Sequence, residues 1–320
     1  MSQFQEADFA SIEPGGGADQ SHPKAAVAAH EQALHGSGFQ GRFIEVIPGE
    51  RVHIMEGQEG TPLVMLHGSG PSALLFLPLM ERLTGVRATG VDRPGFGLSD
   101  PHEWPSTRRR QAAVEWVESL YGVLGLEEAA LLGSSAGGTW AAWFALAHPE
   151  KVNRLILLGA PPTLSVNIPP PQLRGIASID PADPPPMPPP SRETVIQSMS
   201  GMGEGDTIVS YPEQIDALIA AGRDPVASMA NLDELQSLMT PEGWQRAVET
   251  QVSELGRLKP STLLVWGNND PLGGSEPAHQ TASAIPDAQL EMLDCGHAPW
   301  LGHPDRVANL VSSFITGRRK

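Results

Sequence analysis

Residues 133–137 read G-S-S-A-G, the pattern G-x-S-x-G with Ser135 at its centre. The pattern follows an apolar run, residues 128–132, and precedes a helix-forming run, residues 139–147. A serine on a sharp turn between a strand and a helix exposes its hydroxyl group, and the next backbone N–H can stabilise an oxyanion. We therefore predict that Ser135 is a nucleophile.

The neighbouring serine does not fit the same pattern. If Ser134 were central, Leu132 and Ala136 would occupy the two positions that require glycine. Small residues are needed around such a turn, and the Ser135 register supplies them. We therefore reject Ser134 as the nucleophile.

Strand and helix signals alternate around this turn. Such alternation predicts an α/β protein with a mostly parallel central sheet flanked by helices. A hairpin is predicted at residues 42–47 and 51–56, with its turn at Pro48 and Gly49. Further strands are predicted at residues 62–66, 87–91, 128–132, 152–158, 262–266 and 289–293, and helices at residues 74–83, 107–124, 139–148 and 305–316.

The alternation divides the chain into three parts. Residues 1–40 form an N-terminal arm, in which a flexible acidic start precedes a helix at residues 24–34. Residues 41–160 and 243–320 form the α/β core. Residues 161–242 begin with many prolines and continue with helical patches, so we predict an inserted helical lid. These patches lie at residues 192–199, 211–221 and 225–239.

Composition limits the function. The 320 residues carry a formal net charge of −16, which disfavours nucleic acid and anionic membranes as partners. Arg108, Arg109 and Arg110 are interpreted as a solvated helix face. A single cysteine, Cys295, gives no disulfide, and the first thirty residues resemble no signal peptide. We therefore expect a cytoplasmic protein with no membrane segment.

A serine nucleophile needs a base and an acid that orients the base. Asp270 follows a predicted strand in W-G-N-N-D-P, and His297 follows the next strand in D-C-G-H-A-P-W. Loops after the carboxyl ends of parallel strands meet at one edge of a sheet. The order Ser, Asp, His is that of α/β hydrolases. We predict that His297 is the base and that Asp270 orients it.

Five motifs together resemble the α/β-hydrolase superfamily. They are L-H-G-S-G-P at residues 66–71, D-R-P-G-F-G-L-S-D at 92–100, G-S-S-A-G, W-G-N-N-D-P and C-G-H. The resemblance covers residues 41–320 apart from the proline-rich lid. It implies an α/β-hydrolase fold with an inserted lid, and it implies neither a metal nor a cofactor.

The resemblance also implies roles for the loop after the third strand. The backbone N–H groups of Ser69 and Ala136 would form an oxyanion hole, and His67 would be a strand-end residue rather than the base. Ser69 and Gly70 keep this loop small, so that a substrate carbonyl group can approach. A plain glycine-rich turn is the alternative interpretation.

Other residues near these motifs receive lesser roles. Gly68, Gly70, Trp300 and Met202 are candidates for the substrate pocket, and core packing is the alternative for Trp300 and Met202. Asp294 lies close to His297 in the sequence, but Asp270 has the expected chain position. Asp92 is expected to organise its own turn. Cys295 is expected to be a packing residue.

The expected reaction is hydrolysis of a carboxylic ester or lactone of a small to medium hydrophobic substrate through an acyl-enzyme. Carbon–carbon bond hydrolases of ring-cleavage products share H-G-x-G-P and C-G-H, but they usually carry Asn and Trp where this chain has Ser134 and Ala298. Their lid arginine has no clear match, although Arg174, Arg192 or Arg223 could hold one carboxylate.

Three further alternatives stay open. An acyltransferase or a perhydrolase would use the same triad, and a non-catalytic ligand receptor would use the same fold. The expected partner is a small-molecule substrate. A homodimer formed through the N-terminal arm stays an open alternative.

Overall fold

The apolar runs of the core form one eight-stranded sheet. The protein is represented by a computed structural model that describes residues 24–70, 72–105, 107–180 and 190–317. The strands in these ranges are β1 (Gln40–Ile47), β2 (Glu50–Glu56), β3 (Thr61–Leu66), β4 (Val86–Val91), β5 (Ala129–Ser134), β6 (Val152–Leu158), β7 (Met239–Thr240), β8 (Gly243–Trp244), β9 (Ser261–Gly267) and β10 (Ala288–Leu293).

The order of strands in the sheet is β1-β2-β4-β3-β5-β6-β9-β10. β2 pairs antiparallel with both β1 and β4, and every other pair in this sheet is parallel. β7 and β8 form a separate two-stranded hairpin. The parallel strands β3, β5, β6, β9 and β10 therefore direct their carboxyl ends to one edge, where the active-site loops of open α/β sheets lie.

Helices cover both faces of the sheet, and buried clusters lie on each side. No helix in the described ranges is long and apolar enough to span a membrane. The helices are α1 (Lys24–Leu34), α2 (Leu77–Met80), α3 (Arg109–Val123), α4 (Ala136–Ala147), α5 (Pro171–Ile176), α6 (Arg192–Gly201), α7 (Gly205–Ile208), α8 (Pro212–Arg223), α9 (Pro225–Leu238), α10 (Ser275–Ala284), α11 (Pro299–Gly302) and α12 (Pro304–Thr316), with 3₁₀ segments at Ala73–Phe76 and Val252–Arg257.

Five of these helices, α5 to α9, lie between β6 and β9, and we call them the inserted helices. They occupy the segment predicted as a lid, residues 161–242. Three of them match the helical patches read from the sequence, and α5 and α7 are short additions. Six of the twelve prolines in residues 161–190, at positions 181, 184–186 and 188–189, lie outside the described residues.

The predicted helix at residues 74–83 is wrong in length. The segment forms a 3₁₀ turn, Ala73–Phe76, and then the single-turn helix α2. Pro78 lies in the first turn of α2, where its missing N–H costs nothing, but it cannot continue a helix that starts earlier. The sequence does not predict helix α10, because this segment has few apolar residues at helical spacing.

The N-terminal arm packs on the body of the protein. Helix α1 lies against α8 and β1, and its Ala26 joins Leu98 and Ala220 in a small apolar cluster. The predicted bounds of this helix, residues 24–34, agree with the structure. The flexible acidic start predicted before it lies outside the described residues.

The turn around Ser135 is closely packed against β3. A Cβ atom on Gly137 would collide with the carbonyl oxygen of Leu66, which is backbone and cannot move aside. We therefore expect Gly137→Ala to lower the free energy of unfolding by about 3 kcal/mol, measured by urea denaturation.

Gly122 provides the matched control for this substitution. It lies exposed in the last turn of α3, and a Cβ atom there would have no neighbour within 4 Å. We expect Gly122→Ala to raise the free energy of unfolding by about 0.5 kcal/mol, because alanine is the better helix former. Equal stability of the two variants would contradict the close packing of the turn.

Candidate active site

Ser135 occupies the junction between β5 and α4. The strand ends at Ser134 and the helix begins at Ala136. The backbone of Ser135 has φ 52° and ψ −126°, a conformation that is strained for a residue with a side chain. Strain of this kind persists where the surrounding structure enforces it, and it is frequent at functional sites. The predicted elbow is therefore present in its geometry.

The two predicted partners of Ser135 contact each other. His297 Nδ1 lies 2.8 Å from Asp270 Oδ2, and both side chains are buried. The carboxylate of Asp270 also accepts the backbone N–H groups of Ala160 and Leu272, at 2.8 and 2.9 Å. These bonds fix the carboxylate, so His297 Nδ1 carries the proton and Nε2 keeps its lone pair.

The structure does not join His297 to Ser135 by a hydrogen bond. His297 Nε2 is buried and has no hydrogen-bond partner among the described residues. Catalytic hydrogen bonds in enzymes without substrate are often long, and they tighten when substrate binds. An unbonded, buried Nε2 that bears a lone pair is suited to accept a proton.

The loop predicted to form the oxyanion hole lies against the elbow. A Cβ atom on Gly68 would lie 2.8 Å from Ser135 Cβ and 3.4 Å from Ser135 Oγ, so only glycine allows this approach. The N–H of Ala136 is the first of α4, and the first four N–H groups of a helix have no acceptor within the helix. The assignment of the Ser69 and Ala136 N–H groups to an oxyanion hole stays a prediction.

His67 is held as a neutral strand-end residue. Its Nδ1 donates to the carbonyl oxygen of Gly68 at 2.6 Å, and its Nε2 accepts the backbone N–H of Arg93 at 2.9 Å. Burial and the positive charge of Arg93 lower the pKa of His67 to about 4. Both ring nitrogens are occupied, so His67 has none left to act as the base.

A buried ion pair connects this loop to the inserted helix α9. Both guanidinium NH groups of Arg93 donate to Glu234, and Arg93 Nε donates to the carbonyl oxygen of His67 at 2.8 Å. Ser69 Oγ donates to Glu234 Oε2 at 2.7 Å. Burial alone would raise the pKa of Glu234, but the charge and hydrogen bonds of Arg93 and the bond from Ser69 lower it to about 2. Glu234 is therefore ionised. It contacts the loop directly at Ser69 and, through Arg93, at the carbonyl oxygen of His67.

We expect Glu234→Gln to lower kcat by about 10–100-fold with little change in KM, because a displaced oxyanion donor weakens transition-state binding more than substrate binding. The substitution also leaves the buried Arg93 charge uncompensated, at a cost of about 3–5 kcal/mol in stability. Steady-state kinetics on the folded fraction, together with urea denaturation, measure the two effects.

Glu213→Gln is the control for this prediction. Glu213 is an exposed acid in the first turn of the inserted helix α8. Its substitution removes the same charge from the same segment and should leave kcat and stability unchanged. Wild-type kcat in folded Glu234→Gln would contradict the proposed link between α9 and the loop.

A second buried carboxylate lies beside the backbone of His297. Glu204 Oε1 accepts the N–H of Ala298 at 2.9 Å, and the N–H of His297 donates to the carbonyl oxygen of Met202 at 2.9 Å. Burial raises the pKa of Glu204. The segment that connects α6 and α7 thus fixes the loop that carries His297.

The predicted pocket residues differ in their surroundings. Trp300 is buried, packs on the Phe76 ring and donates its indole N–H to the carbonyl oxygen of Leu75 at 2.7 Å, which favours core packing. Gly70 has φ 91° and faces Asn231 of α9. Met202 contacts the His297 backbone through its carbonyl group, as described above. Their roles in substrate binding stay predictions.

Asp294 and Cys295 are not placed for catalytic roles. Asp294 is exposed and accepts a bond from Asn269 at 3.2 Å. Burial and nearby carboxylates raise the pKa of Cys295 to about 12, so its thiol stays protonated. Only Asp270, of the two acids weighed for the triad, contacts His297.

Among the described residues, one group has the composition of a metal site: His30 of α1, His53 of β2 and Asp92. Asp92 Oδ2 lies 2.8 Å from His53 Nδ1 and 3.5 Å from His30 Nε2. The carboxylate also accepts the N–H groups of Ala73 and Leu98. These bonds satisfy Asp92 without an ion, and they make it an organiser of the loop after β4, as the sequence predicted.

The interpretation of residues 108–110 as a solvated face is wrong for Arg109. Its side chain is only 5% exposed and lies over the Trp104 ring, with 4.9 Å from Cζ to the ring centroid. It donates to Asp233 of α9 at 2.8 Å. Helix α9 therefore packs over Arg109. The three consecutive arginines carry no sign of this long-range contact in the sequence.

Comparison with known proteins agrees with this geometry. A family model described as "alpha/beta hydrolase fold" matches residues 61–304. A 2-hydroxy-6-oxononadienedioate/2-hydroxy-6-oxononatrienedioate hydrolase of Pseudomonas putida is 27% identical over 294 residues, covering 86% of this chain and 96% of its own. A 2-hydroxymuconate semialdehyde hydrolase of Pseudomonas putida is 29% identical over 281 residues, covering 83% and 91%. The structure of carboxylesterase CesB (YbfK) from Bacillus subtilis superposes with a TM-score of 0.71 at 21% identity, covering 93% of this chain and 100% of that one.

A strained turn after β5, loops gathered at the carboxyl edge of a parallel sheet, and these relatives define the class of the protein as a hydrolase. The chain belongs to the alpha/beta hydrolase fold family. The predicted fold, a mostly parallel central sheet flanked by helices, is thereby confirmed.

Proposed function

We propose that the protein hydrolyses a carbon–carbon bond in a product of aromatic ring cleavage. The observation that carries this proposal is the match to the two Pseudomonas putida hydrolases, each covered over more than nine-tenths of its own length. The names of both relatives describe hydrolysis of such open-chain products. The comparisons thus favour the carbon–carbon alternative over the ester hydrolysis expected from the sequence.

The geometry around Ser135 supports the steps that this reaction needs. Ser135 Oγ adds to the ketone carbon while His297 Nε2 takes the hydroxyl proton, and the carboxylate of Asp270 stabilises the resulting imidazolium. The N–H groups of Ser69 and Ala136 stabilise the oxyanion. The carbon–carbon bond then breaks, the leaving carbon takes the proton from His297, and water activated by the same His297 hydrolyses the acyl-enzyme.

Hydrolysis of a carboxylic ester or lactone is the second candidate. Ser134 and Ala298 stand where carbon–carbon hydrolases usually carry Asn and Trp. Arg192 and Arg223 are exposed, and among the described residues no hydrogen bond or ion pair joins them, or Arg174, to Ser135 or His297. An ester substrate needs no such cation, and the same residues would expel an alkoxide instead of a carbanion.

A side-by-side assay distinguishes the two candidates. Purified protein is assayed with 2-hydroxy-6-oxo-6-phenylhexa-2,4-dienoate and with 2-hydroxymuconate semialdehyde, and their hydrolysis is measured by the loss of dienoate absorbance. The same protein is assayed with p-nitrophenyl butyrate and with an enol-lactone. Carbon–carbon hydrolysis predicts that kcat/KM for a dienoate exceeds that for the esters by at least about 100-fold, the discrimination that a dedicated site achieves.

The reverse order of kcat/KM would overturn the proposal in favour of an esterase. Preference for an alcohol or peroxide over water as acyl acceptor would indicate an acyltransferase or a perhydrolase. Inactivity on all substrates, together with no labelling of Ser135 by a fluorophosphonate, would indicate a non-catalytic receptor.

A further inference from the structure

A cavity of about 480 Å³ lies between the inserted helix α9 and the loop that follows β4. Ser135, Asp270 and His297 are not among the residues that line it. Its volume lies within the range of about 300–1,000 Å³ typical of small-molecule sites. The cavity is therefore a candidate binding site separate from the candidate catalytic residues.

Aromatic rings form one wall of this cavity. Trp104 and Trp140 pack edge to face, with 5.1 Å between ring centroids, and Phe96 lies nearby. Val226 and Met229 of α9 add apolar side chains to the lining of the cavity. Ring faces and edges placed in this way favour a planar aromatic guest.

Two arginines line the same cavity, and their charges are compensated differently. Arg93 is buried and held at two nitrogens by Glu234, which is also buried. A ligand that displaced Glu234 would leave a charge buried without a partner, which is strongly unfavourable. The Arg93–Glu234 pair is therefore a fixed wall.

Arg109 has a carboxylate partner that a ligand can replace. Its guanidinium is buried over Trp104, but its partner Asp233 has a side chain that is 61% exposed. An exposed carboxylate contributes little to such a pair and regains full hydration when it leaves. The Arg109 guanidinium can then bind another carboxylate by donating two parallel N–H hydrogen bonds to it.

We propose that this cavity binds a small aromatic carboxylate, with its ring against Trp104 and Trp140 and its carboxylate on Arg109 in place of Asp233. One negative charge is the appropriate number, because the chain as a whole carries a net charge of −16 and would repel a polyanion. The Arg93–Glu234 pair lines this cavity, and Glu234 also accepts the hydroxyl of Ser69. Only this ion pair therefore separates a bound ligand from the loop at residues 67–70.

Isothermal titration calorimetry with 2-naphthoate tests the proposal without any turnover. We expect one site per chain, at least about tenfold weaker binding in Arg109→Met, and about threefold tighter binding in Asp233→Asn, because the competing carboxylate is gone. The neutral analogue 2-naphthamide should bind weakly and equally to the wild type and Arg109→Met. Thermal unfolding checks that each variant is folded, and Asp233→Asn keeps the test decisive if Arg109→Met does not fold.

Three results would overturn the proposal. The first is no binding of 2-naphthoate by the wild type at millimolar concentration. The second is affinity unchanged in Asp233→Asn and in folded Arg109→Met. The third is loss of binding after Ser135 is sulfonylated with phenylmethylsulfonyl fluoride, which would place the ligand beside Ser135. Resistance of Ser135 to sulfonylation, together with inactivity on all substrates, would contradict the proposed function, and the titrations with the two variants would still decide the present proposal.

Discussion

Replacement of Ser135 by alanine is expected to lower kcat by on the order of 10⁵–10⁶-fold on whichever substrate proves active. The acyl-enzyme cannot form without Oγ, and only binding and the oxyanion donors would remain. Stability should change by less than about 0.5 kcal/mol, because Ser135 Oγ makes no hydrogen bond among the described residues. Single-turnover kinetics and urea denaturation measure the two quantities.

Ser134→Ala is the control, since Ser134 precedes the turn and is rejected as the nucleophile. We expect this variant to keep kcat within about threefold of wild type. Near-normal turnover in folded Ser135→Ala, or a comparable loss in Ser134→Ala, would exclude the assigned nucleophile.

Ser135→Gly separates the chemistry of this residue from its conformational cost. Glycine adopts φ 52° without strain, which relieves about 1–3 kcal/mol and is partly offset by the entropy of the freer unfolded chain. An inactive variant that is about 1 kcal/mol more stable than wild type would show that the wild-type turn is strained, and that this strain accompanies the exposed position of the Ser135 hydroxyl group.

The central sheet and the candidate triad residues can be predicted from the sequence because their signals are local. The turn at residues 133–137 needs small residues next to each other, and Asp270 and His297 each follow an apolar strand directly. Parallel topology then brings these loops to one edge without further information. The contact between Asp270 and His297 follows from that rule, whereas the missing bond between His297 and Ser135 does not.

The bonds that hold the loop at residues 67–70 could not be derived in this way. Glu234 is 141 residues from Arg93 and 165 from Ser69, and neither spacing has a periodic signal. One sign was available: Glu234 lies on the same face of α9 as Ala227 and Leu238, which are both buried. An acid on an apolar helix face requires a buried partner, and the sequence does not say which cation supplies it.

Asp270→Asn is expected to lower kcat by about 10³–10⁴-fold, because the amide removes the negative charge that stabilises the His297 imidazolium. The carboxylate accepts three N–H groups, from Ala160, Leu272 and His297. An amide has only one oxygen, so its NH₂ group must face a buried N–H of Ala160 or Leu272 in either orientation. We therefore expect a loss of about 1–3 kcal/mol in stability as well, measured by urea denaturation.

Asp294→Asn is the control for this prediction. It removes the same charge three residues before His297, from an exposed side chain, and should leave kcat unchanged. If Asp294→Asn loses activity while Asp270→Asn keeps it, the orienting acid has been assigned wrongly, because only a carboxylate in contact with Nδ1 can hold its proton in place.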